Sequence, residues 1–304
     1  MICIYHNKDL DGYCSGVIVK LKYPDAKLIG YDYGQPFPWN EIPTNTPVIM
    51  IDVSLPMDDM RKLSYHTDGQ LTWVDHHASA IKDYKEVQEG GNPFKCDGVL
   101  ENGIAACEGG WKYLFPDKQM PTAVKLLGEY DTWRNQDKKR WDNAIVPFQY
   151  GMRMICSSPE TFPKELFSEA QDIAISYADA YCNKICENGR LILTYQKTQN
   201  ERACKSSFEI TFEGLRAICL NNGGANSQVF ESVWDENKHD VMIPFVFTGK
   251  HWTFSLYTTK DEVDCSVIAK SKGGGGHKKA AGFKLKELPD EFKIHVYEST
   301  PVVN

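Results

Sequence analysis

Three short apolar runs in the first eighty residues each end on side chains that ionise: ICIYH (2–6), VIMID (48–52) and LTWVDHH (71–77). With KLIGYDY (27–33) they read as β-strands. Between them, YCSGVIVKLKY and MDDMRKLSYH carry helical spacing, and the second opens with acids that suit a helix N-terminus. Strands alternating with helices imply a parallel sheet covered on both faces. In such sheets ligands gather at the carboxyl ends of the strands. His6 ends the first strand, with Asp9 and Asp11 in the loop that follows. Asp52 ends another, and Asp75, His76 and His77 end a third. Any one of these residues alone reads as an ordinary polar loop residue; their joint placement on one sheet edge argues for a site.

The 304 residues allow two domains of ordinary size. A net charge of −7 and a pI of about 5.7 argue against a protein that coats long nucleic acid, which needs a basic surface. A local pocket for a small phosphorylated ligand remains compatible with that charge. The first residues lack the basic and apolar regions of a signal peptide, and no apolar run reaches the roughly 18 residues of a membrane span. The ten cysteines are scattered in apolar segments and read as buried thiols of a cytoplasmic protein. Cys182 and Cys186 lie one helical turn apart, with no second ligand pair to complete a zinc pattern.

GIAACEGGWKYLFP and PTAVKLLGEYDTWR are further helical patterns, the second with proline at a tolerated first-turn position. We expect an α/β protein of two domains: an N-terminal parallel-sheet domain over 1–158, a helical linker over 159–200, and a smaller C-terminal α/β domain over 201–304. In the last, FEITFEG, LRAICLN, VMIPFVFTG and HWTFSLYTT read as strands. SQVFESVW reads as a helix capped by Asn226 or Ser227, and VDCSVIAKSK as a helix running into GGGGHKKAAGF.

His6, Asp9, Asp11, Asp52 and His76, with Asp131 of GEYDTW, form the candidate constellation. Carboxylates ~4 Å apart repel by about 4 kcal/mol even at an effective dielectric of 20. Some must therefore be protonated, or cations must sit among them. Carboxylates with imidazoles and no thiolates favour Mn²⁺, Mg²⁺ or Fe²⁺, with zinc also compatible. Two cations bridged by one acid would suit in-line attack on phosphorus.

HNKDLDG, IDVS, VDHHAS and GEYDTW together resemble the four motifs of the DHH phosphoesterase superfamily, and VIAKSKGGGGHKKAAGF resembles the glycine-rich signature of its associated C-terminal domain. The resemblance runs in order along nearly the whole chain. It implies two divalent cations, Mn²⁺ first, with Mg²⁺, Fe²⁺ or Co²⁺ as alternatives. His6, Asp9 and Asp52 would hold one, and Asp11, Asp52, His76 and Asp131 the other, with Asp52 as bridge. Asp75 would accept from the ring N–H of a histidine ligand and so fix its tautomer, and His77 would face the phosphate. It also implies that the C-terminal domain captures substrate.

Glycines permit close backbone approach and convergent N–H groups. Gly274, Gly275, Gly276, His277 and Lys278, with further lysines around them, therefore read as a phosphate contact. A helix cap followed by a turn would need only one glycine. Where nucleotide-cleaving relatives carry an arginine in an SLR-like strand, this chain has Tyr257, which stacks or donates one hydrogen bond but cannot grip phosphate bidentately. The aromatics of YDYGQPFPW suggest base stacking or plain packing, and Arg134 and Arg153 suggest phosphate contact or structural pairing. The expected activity is hydrolysis, by a hydroxide between the cations, of small nucleotides, short oligonucleotides or linear or cyclic dinucleotides. A RecJ-type single-strand exonuclease and a catalytically silent nucleotide sensor are the alternatives. A homodimer is left open.

Overall fold

The computed structural model describes residues 1–167 and 173–297. The chain divides into two compact units, Met1–Leu193 and Thr194–Asn304. The first holds five strands: β1 (Ile2–His6), β2 (Lys27–Tyr31), β3 (Val48–Ile51), β4 (Leu71–Asp75) and β5 (Asp97–Leu100). All pair in parallel, in the order β2-β1-β3-β4-β5. Its helices are α1 (Leu10–Lys22), α2 (Met57–His66), α3 (Ala78–Glu89), α4 (Ala106–Leu114) and α5 (Thr122–Asp131). A single turn α6 (Lys138–Arg140) continues through a π-helical turn, Trp141–Ile145, into α7 (Val146–Ile155). The long α8 (Ile173–Ala203) runs across the boundary between the units.

Each strand feeds two cores by the two-residue alternation of side chains. Cys3, Tyr5, Ile49, Ile51 and Val74 join one core with Ile18 of α1, Trp111 of α4, Leu127 of α5 and Phe148 of α7. Ile2, Ile4, Val48, Met50, Leu71 and Trp73 join the other, with Met60 and Leu63 of α2 and Ala80 of α3. Both faces are thus covered, which is why these strands read as unbroken apolar runs rather than alternating ones. Cys182 and Cys186 of α8 are buried in the first core as packing thiols.

The strand order positions the site. From β1 the chain moves outward to β2, then returns to β3 on the opposite side of β1. The connections therefore diverge between the carboxyl ends of β1 and β3, leaving the crevice where open parallel sheets hold ligands. His6 ends β1, and Asp52 directly follows β3.

The second unit is a six-stranded mixed sheet, β10-β11-β9-β8-β7-β6. Its strands are β6 (Phe208–Phe212), β7 (Leu215–Asn221), β8 (Val241–Phe247), β9 (Trp252–Tyr257), β10 (Gly275–Gly276) and β11 (Ala280–Leu285). Among the described residues of this unit, only β7 and β8 pair in parallel. Phe212, Phe245, Phe254, Phe283 and Phe292 fill its main core, with α9 (Cys265–Ser271) and α10 (Asp290–Tyr297) beside the sheet. The helix expected over 227–234 is instead one 3₁₀ turn, Ser227–Phe230, capped by Asn226, whose side chain accepts from Gln228 N–H. Val229, Phe230, Val233 and Trp234 are poor helix formers, and burial of Val229 and Phe230 sets the local path instead.

Candidate metal centre

Asp9 caps α1: its Oδ1 accepts the Gly12 N–H at 2.9 Å, and its Oδ2 lies 2.9 Å from His6 Nδ1. One short loop thereby places two donors together. The residue after Asp11 must also lack a side chain, because α1 starts hard against β1. A Cβ on Gly12 would fall 1.9 Å from the His6 carbonyl oxygen. Asp11, in the first turn of α1, is buried and accepts the Ala106 and Cys107 N–H groups at 2.9 and 2.7 Å. It thus holds the start of α4 as well as facing the site.

Asp52 sits at φ +63°, in the left-handed region, and its N–H donates to Val74 O at 2.9 Å. That backbone costs an ordinary L-residue about 1–2 kcal/mol, and such strain gathers at functional positions. Here it turns a buried carboxylate into the crevice. Asp52 Oδ2 lies 3.5 Å from His6 Nδ1, and its Oδ1 3.3 Å from His76 Nε2. His76 Nε2 is also 3.3 Å from Asp131 Oδ2 and 3.7 Å from Asp11 Oδ2. Three donor groups result: His6, Asp9 and Asp52; Asp11, His76 and Asp131; and Asp52, His76 and His77, with ligand atoms within 4.8 Å of one another in each.

Asp75 organises the turn after β4. Its Oδ1 accepts the N–H groups of His76 and His77 and the His77 ring Nδ1–H at 2.6 Å, and its Oδ2 accepts the Trp73 indole N–H at 3.1 Å. The histidine ring that Asp75 orients is therefore that of His77. This hydrogen bond is the main cause that raises the His77 pKa to about 9, against the opposing effect of burial.

Electrostatics test whether cations fit. Burial, reinforced by Asp9 and Asp131 and only partly opposed by His6, raises Asp52 to about 7. Burial and the Asp11 charge raise Asp131 to about 7. Asp11 is also raised, by burial and by Asp52. For His6, the cost of burial is outweighed by the facing carboxylates of Asp52 and Asp9, which raise it to about 10. Left to itself, the cluster holds Asp11, Asp52 and Asp131 against their charge, while the His6 partner lowers Asp9 and an imidazolium stays among them. His6 Nδ1 and Asp52 Oδ2 are moreover buried without an aligned hydrogen-bond partner, although each faces the other. Oxygen and imidazole donors that converge but do not satisfy one another fit hard or borderline divalent cations.

Further residues reach the site. Asp32 Oδ1 lies 3.6 Å from His6 Nε2, and Lys8 Nζ lies 3.4 Å from Asp32 Oδ2. Tyr33 places its ring 5.9 Å from that of His6 and 6.3 Å from that of His77. Tyr33 belongs to the YDYGQPFPW aromatics that suggest stacking or packing, whereas Asp32 and Lys8 carry no signal of their own. Arg134 is paired with buried Glu108 at 2.5 Å, and the Arg153 guanidinium lies over the Tyr130 and Tyr150 rings.

In the second unit the glycine run has conformational causes. Gly273, at φ +78°, ends α9, and its N–H and that of Gly274 return to Lys270 O and Ala269 O. A Cβ on Gly274 would lie 2.1 Å from Gly282 O, and one on Gly276 2.5 Å from the Ala281 Cα, because β10 pairs tightly with β11. The His277 N–H closes the following turn onto Ala280 O at 2.7 Å. Gly275, His277 and Lys278 are exposed, while Lys272 and Lys279 pair with Glu213 and Asp261. Tyr257, partly buried, packs on the cluster of Leu220, Phe230 and Met242.

No family model matches the chain. It is similar to the uncharacterized protein R106 of Acanthamoeba polyphaga mimivirus, 24% identical over 295 residues, covering 93% of this chain and 58% of that one. It is also similar to oligoribonuclease NrnB of Bacillus subtilis, 22% identical over 322 residues, covering 99% of this chain and 77% of that one. The chain thus spans little more than half of the viral relative. Among solved structures, the pGpG-specific phosphodiesterase PggH of Vibrio cholerae shares the fold, with a TM-score of 0.50, 11% identity, and coverage of 98% of this chain and 96% of that one. No described helix is long and apolar enough to cross a membrane. The four motifs stand in order along the chain and meet at one crevice of this sheet, which, with likeness to NrnB over 99% of the chain, supports the resemblance to the DHH phosphoesterase superfamily.

Proposed function

We propose that the protein is a metal-dependent phosphoesterase that hydrolyses small nucleotides, short oligonucleotides or dinucleotides. The observation that carries this reading is the convergence of two donor groups on Asp52 at the sheet's switch point. His6, Asp9 and Asp52 would hold one divalent cation, and Asp11, Asp52, His76 and Asp131 a second, with Mn²⁺ the leading candidate. When bound, such cations supply the Lewis acidity for attack of water on phosphorus.

The chain's own groups do the rest. Asp52, held by its left-handed backbone, presents one oxygen toward each donor group. Asp75 holds the Nδ1–H of His77, so the ring's Nε2 is the atom left for substrate. With its pKa raised to about 9, His77 is an imidazolium at neutral pH. It can donate to a phosphoryl oxygen as negative charge develops there. We assign Gly275, His277 and Lys278 of the second unit to substrate binding as well, on the strength of their exposure and charge.

The test is a hydrolysis screen of mononucleotides, dinucleotides and short RNA and DNA oligomers. Turnover should require a divalent cation, vanish in EDTA and return with Mn²⁺. Turnover that persists after chelation, or nucleotide binding with no product under any cation, would overturn the reading.

A further inference from the structure

A cavity of about 640 Å³ opens in the first unit beside the donor cluster, between the 31–39 loop and the starts of α2 and α3. Three of its lining residues tie it to the site. Ser54 lies two residues after Asp52, Ser79 two residues after His77, and the Tyr33 ring stands next to the rings of both His6 and His77. The volume suits a nucleoside-sized group and far exceeds a phosphate.

The wall is built rather than loose. Phe37 packs edge-on against Tyr31 at 5.4 Å and Trp39 at 4.8 Å, which spends those rings on structure. Tyr33 differs. Its hydroxyl accepts the Ser54 N–H at 3.2 Å, which fixes the ring, yet the residue is 48% exposed. A fixed, half-exposed aromatic ring beside a reaction centre is a stacking surface. The polar lining is one-signed: Asp59 and Asp83 line the cavity, and no Lys, Arg or His does among the described residues. Neither acid has an ion-pair partner within 4 Å among the described residues. Such a lining repels phosphate and accepts N–H donors.

We propose that this cavity is a nucleobase subsite that selects bases presenting adjacent N–H donors, guanine first. Guanine offers a ring N–H and an amino group side by side, which one carboxylate accepts in parallel. Uracil presents a single N–H flanked by two carbonyls, which the carboxylates repel. Adenine and cytosine offer one amino group beside a bare ring nitrogen and fall between. The proposal rests on the nucleotide-phosphoesterase reading, because it takes the base to be that of the nucleotide whose phosphate meets the metal centre.

Two measurements keep the proposals apart. The first is saturation-transfer NMR with guanosine and uridine in EDTA, which involves neither phosphate nor turnover. Guanosine should bind at least about fivefold more tightly than uridine. Tyr33→Ala should weaken both by about tenfold, the order of one base–aromatic stack. Asp83→Asn, at an exposed position of α3, should shrink the guanosine preference; Tyr33→Phe should retain most of the affinity and serves as the folding control. The second is kcat/KM for GpG against UpU with Mn²⁺, whose ratio should fall in Asp83→Asn. Equal binding of the two nucleosides, affinities untouched by Tyr33→Ala, or a preference untouched by Asp83→Asn, overturns the subsite. Guanosine binding with no hydrolysis of any nucleotide would keep the subsite and overturn the enzymatic reading.

Discussion

Asp52→Asn should make the metal-free protein more stable and the metal-loaded protein less so. In the folded state the Asp52 carboxyl is raised from 3.8 to about 7, chiefly by burial. A carboxyl raised on folding weakens the fold once it must ionise. The penalty begins as pH climbs past the unfolded value near 4 and is complete above about 7. About 3 pKa units at 1.36 kcal/mol each set a ceiling of about 4 kcal/mol. With relaxation of the neighbours, about 2 kcal/mol is a reasonable working figure. Asparagine removes the charge and tolerates the left-handed backbone at φ +63°. In EDTA at pH 8 the variant should therefore melt about 4–8 °C higher, at about 2–4 °C per kcal/mol for a unit of this size. At pH 4, where both side chains are neutral, the gain should vanish. Asp52→Ala is the control: it also loses the charge, but the left-handed backbone costs about 1–2 kcal/mol, so little net gain should appear.

Mn²⁺ should reverse the order. At a hundredfold excess over its Kd, a cation adds about 2.7 kcal/mol, or about 5–10 °C, to the wild type. Asp52→Asn loses a ligand proposed to serve both cations and should keep little of that rise. Melting followed by circular dichroism, in EDTA and then in MnCl₂, reads both arms. A variant that melts below wild type in EDTA at pH 8 would refute the charge argument. A variant with an undiminished Mn²⁺ shift would refute the bridging role.

Asp75→Asn removes the acceptor that raises His77, so the ring should titrate at least one unit below its present value of about 9 when followed by NMR in the metal-free protein. Because the charged ring is the form lost as pH rises, the alkaline limb of kcat should move down with it; an unmoved ring titration would refute the pairing. Gly12→Ala forces a Cβ to within 1.9 Å of the His6 carbonyl oxygen and must push α1 from β1. It should cost about 1–3 kcal/mol in urea denaturation and weaken Mn²⁺ binding together, and a loss confined to either one would separate the helix start from the site.

Hydrophobic pattern located His6, Asp52 and His76 because strands buried on both faces leave their polar residues only at their ends. Residue type then named the chemistry. What type does not encode is backbone shape: nothing about an aspartate announces φ +63° at Asp52, which follows from β3 ending at a switch point. Local weakness hid α3 and β5. The edge strand β5 carries Gly98 at φ +128°, where a Cβ would strike Trp73 O, and so lacks an apolar run. The glycine run has a structural cause that its composition does not announce. Its composition suggests an anion cradle, whereas Gly274 and Gly276 are required by close pairing of β10 with β11, a contact between residues several positions apart.

The double duties of the acids explain why the site could be read at all. Asp9 caps α1 while facing His6, and Asp11 holds the first N–H groups of α4 while facing His76. A carboxylate committed to a helix start is aimed by the fold itself, at a helix end of partial positive charge. Asp52 has no such cap; its oxygens face imidazoles, and His6 only partly offsets the burial that raises its pKa. The acid with the least support from the chain is thus the one that stands between both donor groups, where added positive charge would relieve it most.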